Sequence, residues 1–267
     1  MQLPRSLRAW LWGASGCTLA LIYVPLLLIA LYAFNESRSQ TWPIPGLTVK
    51  WVVDAVTNPG ARDALVLSVE VGLMATGIAL VLGSMLAVAV HRYRFFGRSA
   101  VSFLIILPIA LPGVVTGIAL NASFRNLLGG LSLLTLIVAH ATFCVVVVFN
   151  NVVARLRRTA GSFEEASADL GADSFQTFRY VTFPLIRSAL VAGALLAFAL
   201  SFDEIIVTTF TAGTRETLPI WIFTNISRPN QLPIVNAVAL GVILLSAIPV
   251  YLAQRISSDT VSITDRR

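Results

Sequence analysis

Two adjacent carboxylates, Asp203 and Glu204, lie inside an otherwise apolar stretch of the chain. A carboxylate at the centre of a membrane helix costs about 3 kcal/mol on insertion scales, so the pair calls for an explanation. Either both acids lie at a wetted helix end, or one of them faces a cavity and contacts a solute. Neighbours on a helix point about 100° apart, so both cannot face the same way. Of the two acids, we expect Asp203 to face such a cavity and contact the solute. Asp203, with Ser201 and Glu204 beside it, then forms the predicted solute pathway.

Three further residues could carry chemistry. Trp51 is either an interfacial anchor or an aromatic that stacks on a cation, and we add it to the predicted pathway. His140, alone in an apolar stretch, is more typical of a hydrogen-bonded packing residue than of a proton carrier. Glu70 is more typical of a snorkelling or helix-pairing residue than of a ligand.

The sequence offers no pattern typical of an enzyme. It contains no glycine-rich phosphate loop with a following lysine, no zinc-ligand spacing, and no nucleophile paired with a base. We therefore expect no catalytic residues, no metal site and no cofactor in this chain.

The composition is typical of a membrane protein. Apolar residues make up 57% of the 267, charged residues 12%, and the mean hydropathy is +0.82. The net charge of +6 does not indicate nucleic-acid binding, because the arginines are not grouped on one segment. The apolar residues form six blocks long enough to cross a bilayer, so we predict one all-α domain over residues 1–267. The predicted spans are 12–34, 65–90, 101–120, 131–154, 184–210 and 234–253.

The arginines and lysines predict the orientation of these spans. Most of them lie in the two terminal segments and in the loops after the second and fourth spans. Because positive residues favour the cytoplasmic side, both termini are expected to be cytoplasmic. Residues 35–64 and 211–233 are then the long outer loops.

The cytoplasmic loop of residues 155–184 is longer than most helix connections. Ser162 to Glu165 has the pattern of a capping box, which predicts a short helix that Gly171 ends. Asp173 to Gln176 predicts a second helix start, and Pro184 suits the first turn of the fifth span. The loop is therefore predicted to be a helix, a turn and a second helix.

This loop resembles the cytoplasmic signature of the permease subunits of bacterial ABC importers. That signature is Glu-Ala-Ala, three residues, Gly, nine residues, then Ile-x-Leu-Pro, and here the spacing is kept by Glu165-Ala166-Ser167, Gly171 and Val181-Thr182-Phe183-Pro184. The resemblance implies a coupling helix that docks on an ATPase subunit through Glu165, Ala166, Ser167, Gly171 and Pro184. It also implies a type I importer bundle in the bacterial inner membrane.

A narrower resemblance is to the spermidine/putrescine branch of these permeases. It rests on Ser201-Phe202-Asp203-Glu204 and the residues that follow, together with Lys50-Trp51 and Ala139-His140-Ala141-Thr142-Phe143. One position departs, because Gly113 follows Pro112 where polyamine permeases often carry an acid. The resemblance implies import of a small cationic solute by alternating access.

The same resemblance implies a set of partners. They are a second homologous permease, a pair of ATPase subunits that bind ATP and magnesium, and an extracytoplasmic solute-binding protein. The alternatives are an importer of another small solute, a proton-coupled secondary transporter and a membrane scaffold.

Overall fold

A computed structural model describes residues 4–159 and 161–246, and its named elements are all helical. An isolated antiparallel bridge joins Asn35 and Leu47. The helices are α1 Arg5–Ala33, α2 Lys50–Thr57, α3 Pro59–Arg92, α4 Arg98–Ala110, α5 Gly113–Leu128, α6 Leu133–Arg157, α7 Ser162–Asp169, α8 Ser174–Thr177, α9 Phe183–Phe202, α10 Ile206–Thr211, α11 Leu218–Asn225 and α12 Leu232–Ser246.

Four of the described helices are long and apolar enough to cross a membrane: Ser6–Ala33, Pro59–Arg92, Leu133–Arg157 and Ser174–Phe202. They correspond to the predicted first, second, fourth and fifth spans. The predicted sixth span lies only partly within the described residues, where Leu232–Ser246 is an apolar helix; residues 247–253 lie outside them.

The third predicted span, 101–120, which Pro108 and Pro112 interrupt in the sequence, is not one continuous helix in the structure. Helices α4 and α5 are separate and meet at an angle of 104°. Pro112 is the reason: it lacks a backbone N–H, and it holds the preceding Leu111 in an extended conformation with ψ 146°. If the bent pair is counted as one broken span, five segments among the described residues are long and apolar enough to cross a membrane.

The fifth predicted span, 184–210, also ends too late. Its helix stops at Phe202, and Asp203 is the C-terminal cap residue. A short helix, α10, begins only at Ile206. At its other end the helix is continuous from Ser174, through a π turn at Phe178–Thr182.

The chain divides into two compact units. The first contains residues 1–62 and 221–267, and among its described residues α2 packs on α12 and the end of α1. Its small core consists of Ala33, Trp51, Ala55 and Ala237, with apolar residues of α12 around them.

The second unit, residues 63–220, contains the larger core, which is built around α6. Small residues let the other helices approach α6 closely. A Cβ on Gly83 of α3 would lie 2.9 Å from the Val145 carbonyl oxygen, and one on Gly193 of α9 would lie 3.4 Å from the Val148 Cα. Close approach through small residues is how helices pack where lipid surrounds them.

Candidate functional site

Helix α7 begins one residue earlier than a Ser162 cap would require. The N-cap is Gly161, which already has helical dihedral angles, and no side chain caps the helix. The carbonyl of Gly161 accepts hydrogen bonds from the N–H groups of Glu164 and Glu165. The predicted capping box of Ser162 and Glu165 is therefore wrong, because a cap hydroxyl needs an extended backbone that the chain does not adopt here.

The predicted stop at Gly171 is confirmed. Gly171 has φ +80°, in the left-handed region, and no heavy atom lies within 4 Å of the position its Cβ would occupy. The N–H of Gly171 bonds to the Ala168 carbonyl at 2.9 Å, and that of Ala172 bonds to the Ser167 carbonyl at 3.1 Å. These two bonds form a Schellman motif, which requires the positive φ that glycine adopts freely.

The second helix start is confirmed as well. The Asp173 carboxylate accepts from the Gln176 N–H at 2.8 Å, and the Gln176 side chain accepts from the Asp173 N–H at 2.9 Å. The π turn follows α8, and Pro184 lies in the first turn of α9. A proline cannot donate to the carbonyl four residues earlier, so a widened turn before it avoids an unmet α-helical bond.

The eight residues of α7 are arranged with polar side chains toward the protein and apolar ones outward. None of the eight is buried, and only Glu164 and Ser167, three residues apart on one face, are half-buried. Phe163 is 55% exposed, and Leu170, just after the helix, is 89% exposed. Exposed apolar residues around a polar-anchored helix are typical of a protein contact surface.

The residues predicted to contact an ATPase divide between the two sides of this helix. Glu165 and Ala166 are exposed on α7, and Pro184 is exposed at the start of α9. Ser167 is on the inner side, where its hydroxyl is 3.0 Å from the hydroxyl of the buried Thr177. Gly171 shapes the turn and has open space around it.

Asp203 and Glu204 lie at the break between α9 and α10, so they are not successive residues of one helix as predicted. Asp203 is exposed, and among residues 4–159 and 161–246 no side chain or backbone group is bonded to its carboxylate. Glu204 is half-buried, and its carboxylate accepts from the Val207 N–H at 2.8 Å. Glu204 therefore binds the first turn of α10, while the Asp203 carboxylate is free to bind another group.

His140 lies directly behind this break and is fully buried. Its Nδ1 is 2.8 Å from the Ser201 hydroxyl and its Nε2 is 2.9 Å from the Thr208 hydroxyl. Thr208 donates its proton to the Glu204 carbonyl, so it accepts from Nε2–H, and Ser201 donates to Nδ1. The prediction of a hydrogen-bonded packing histidine is confirmed, and Ser201, only 3% exposed, faces this network.

Helix α10 is also held from the side of α5. A Cβ on Gly117 would clash with the Phe210 ring at 2.6 Å, and one on Gly113 would meet Ile206 at 3.3 Å. Asn121, one turn further along α5, donates from its side-chain amide to the Phe210 carbonyl. Residues 113, 117 and 121 therefore form a stripe that fixes α10, a role for Gly113 that the sequence did not indicate.

A surface pocket of about 210 Å³ opens beside α10. It mixes hydroxyl groups with one cation and one carboxylate. The lining residues are Thr208, Thr209, Ala212, Gly213, Thr214, Arg215, Glu216 and Ile220.

Trp51 belongs to the first unit and is 5% exposed. Its indole N–H donates to the Asn35 carbonyl at 2.7 Å. The ring is already approached by two cations of the chain, with Lys50 Nζ 5.1 Å and Arg38 Cζ 5.8 Å from its centre. The structure thus places Trp51 in a packed core.

Glu70, a second residue considered from the sequence, lies on the exposed side of α3.

Glu164 is a residue of this loop that sequence reasoning missed. Its Oε1 accepts from the Thr182 hydroxyl at 2.7 Å, and its Oε2 lies 3.5 Å from Arg92 Nε. The three residues are far apart in the sequence, and the adjacent Glu165 matched the signature, so no local pattern distinguished Glu164.

Comparison with known proteins supplies the family. Residues 79–261 match the model of the binding-protein-dependent transport system inner membrane component. The chain is 34% identical over 227 residues to the putrescine transport system permease protein PotI of Escherichia coli K12, covering 82% of this chain and 80% of that protein. It is 33% identical over 242 residues to the spermidine/putrescine transport system permease protein PotC of the same strain, covering 90% of each.

A more distant relative and a solved structure extend the comparison. The putative 2-aminoethylphosphonate transport system permease protein PhnV of Salmonella paratyphi A is 28% identical over 238 residues, which is 87% of each chain. A crystal structure of a bacterial ABC transporter involved in the import of the acidic polysaccharide alginate has a TM-score of 0.70. It covers 97% of this chain and 99% of that one at 17% identity, which shows a shared fold.

Proposed function

Because this chain belongs to the binding-protein-dependent transport system inner membrane components, and among them to the polyamine ABC permeases, we propose that it translocates a small cationic solute by alternating access. It is an ABC importer permease subunit. Its proposed solute is a polyamine such as putrescine or spermidine; an importer for another small solute is the alternative.

The observation that carries the proposal is the surface of α7 and its following turn. A polar inner face anchors the helix, Glu165 and Ala166 are exposed, and the apolar Phe163 and Leu170 point to water. A helix so arranged is suited to insert into a groove of another protein. We assign that groove to an ATPase subunit, so that ATP-driven closure of the ATPase pair moves α7.

The exposed Asp203 supports a cationic solute. It follows the last residue of α9, where the helix dipole places partial negative charge. Broken helices in transporters use such ends to bind cations. The names of three relatives describe transport systems for putrescine, for spermidine/putrescine and, putatively, for 2-aminoethylphosphonate, and these compounds share a primary amine. A carboxylate at a helix C-terminus can bind an ammonium group through charge-assisted hydrogen bonds.

The remaining parts of the importer follow from the family. We propose a second homologous permease, an ATPase dimer that binds ATP and magnesium, and an extracytoplasmic solute-binding protein as partners. The chain itself hydrolyses nothing and holds no cofactor. We further propose six spans in a single permease domain, both termini cytoplasmic, in the bacterial inner membrane.

Purification and reconstitution test the proposal. The tagged chain, expressed with its genomic neighbours and extracted in mild detergent, is expected to retain an ATPase and a second permease. Proteoliposomes of that complex should take up radiolabelled putrescine or spermidine only when both ATP and the binding protein are present. A chain that purifies alone, and that transports with a proton gradient in place of ATP, would instead indicate a secondary transporter.

A further inference from the structure

We infer that Glu164 is a positioning residue that ties α7 to two membrane helices at once, so that a displacement of α7 moves α3 and α9 together. The inference deepens the proposed function and rests on it. Glu164 is adjacent to the signature acid Glu165 but faces the opposite way, toward the membrane helices.

The inner face of α7 has little besides polar contacts to hold it. A helix of eight residues is unstable alone in water, and none of its eight side chains is buried. Its half-buried residues are Glu164 and Ser167, and each bonds to a buried hydroxyl, Thr182 and Thr177 respectively. The position of α7 is therefore set by these side-chain bonds.

The two carboxylate oxygens of Glu164 contact different helices. Oε2 pairs with Arg92, the last residue of α3, at 3.5 Å. Oε1 accepts from Thr182, which is 2% exposed and closes the π turn that leads into α9. One carboxylate thus bridges the ends of two long helices, and a glutamine could keep only one of the two contacts.

The contact with Thr182 lies at the π turn, where the backbone hydrogen bonding departs from that of an α-helix. A π turn has wider and weaker bonding than an α-helix, and such turns occur often at functional sites. Pro184, two residues after Thr182, has no N–H, so the carbonyl of Tyr180 cannot accept an α-helical hydrogen bond from it. A force applied at Thr182 therefore acts on a segment that is already the least regular part of this span.

The test is a set of variants in the assembled importer, reconstituted with its binding protein and ATPase. E164Q removes the charge pair and keeps an acceptor for Thr182; T182V removes the hydroxyl and keeps the charge pair. R92E and E164R each place like charges together, and the double variant R92E/E164R restores an opposite pair. D169N is the matched control, an exposed acid on the same helix for which the described residues show no bonding partner.

We expect solute uptake per ATP hydrolysed to fall about tenfold in R92E and E164R, within the usual range of coupling energies. ATPase co-purification should stay within about twofold of the unmodified complex in the same variants, because the outward surface of α7 is unchanged. The double variant restores an opposite-charge pair but gives Thr182 no acceptor, so it should recover to about the level of T182V, and D169N should resemble the unmodified protein. A fall in uptake without loss of ATP hydrolysis is a readout that misfolding does not produce.

Two results would overturn the inference while leaving the proposed function intact: normal coupling in both single charge reversals, or a double variant no better than either single one. Failure of the unmodified complex to import with ATP would refute the proposed function instead. In that case the contact itself is still measurable, because a cysteine pair at positions 92 and 164 should be joined in membranes by a bifunctional thiol reagent whose spacer is as long as the Arg92–Glu164 side-chain contact.

Discussion

Replacing Gly171 tests the turn that orients α7, and the structure separates backbone effects from steric ones. Open space surrounds the position of the missing Cβ, so a Cβ placed there does not clash. The penalty comes from φ +80° alone, which costs an L-residue about 1–2 kcal/mol and a β-branched one the upper part of that range or more. Asparagine tolerates this region better than alanine does.

These costs translate into a graded series. About 1 kcal/mol reduces the ratio of correctly oriented to misoriented α7 roughly fivefold, and about 2 kcal/mol roughly thirtyfold, if the turn alone decides its orientation. We expect uptake to decrease in the order Gly, Asn, Ala, Val at position 171. The valine variant loses both Schellman bonds, from Gly171 and Ala172, when its backbone leaves the left-handed region.

The assay is uptake by the complex at equal membrane abundance, with ATPase co-purification measured in parallel. A168V is the control, since Ala168 is exposed on the same helix, where valine costs only about 0.5 kcal/mol. Normal uptake by the valine variant at 171, or equal losses for asparagine and valine, would show that the positive φ of this turn does not matter for transport.

Four other substitutions address the remaining assignments. E165K should leave the chain inserted but abolish uptake, because a cation in the first turn opposes the helix dipole and alters the docking surface; unchanged ATPase association and uptake would contradict this. D203N should reduce polyamine uptake far more than membrane abundance, whereas E204Q, which keeps an acceptor for the N-terminus of α10, should do less harm; equal uptake in both would place the solute elsewhere. H140F should lower the thermal stability of the purified complex by an amount corresponding to about 1–3 kcal/mol, since the buried Ser201 hydroxyl loses its acceptor while Thr208 keeps its bond to the Glu204 carbonyl, and adding S201A should restore part of it.

Signals confined to a few consecutive residues were predicted well. The Asp173 to Gln176 box and the turn at Gly171 depend on local backbone geometry, so their residue types suffice to identify them. The apolar blocks located α1, α3 and α6 because lipid exposure imposes length and hydropathy directly.

Features that depend on residues distant in sequence were not predictable in this way. The helix break at Asp203 has no proline or glycine to mark it; it is stabilised by His140 and by the stripe on α5, both distant in the chain. The misplaced cap at Ser162 arose because Gly161 had already entered the helical region, which residue type does not reveal. The bridge from Glu164 to Arg92 and Thr182 joins three separate segments, so only the folded chain brings it together.

The outward apolar residues around α7 also bear on how such a subunit is made and kept. Unless the proposed ATPase covers them, the apolar side chains of Phe163, Leu170 and Phe175 stay exposed to water, by 55%, 89% and 68%. Patches of this kind promote aggregation and attract quality-control proteases. An orphan copy should therefore be short-lived, and its cellular level should follow the supply of the ATPase. Degradation of unassembled copies would then keep this chain and the ATPase in a fixed ratio without a dedicated regulator.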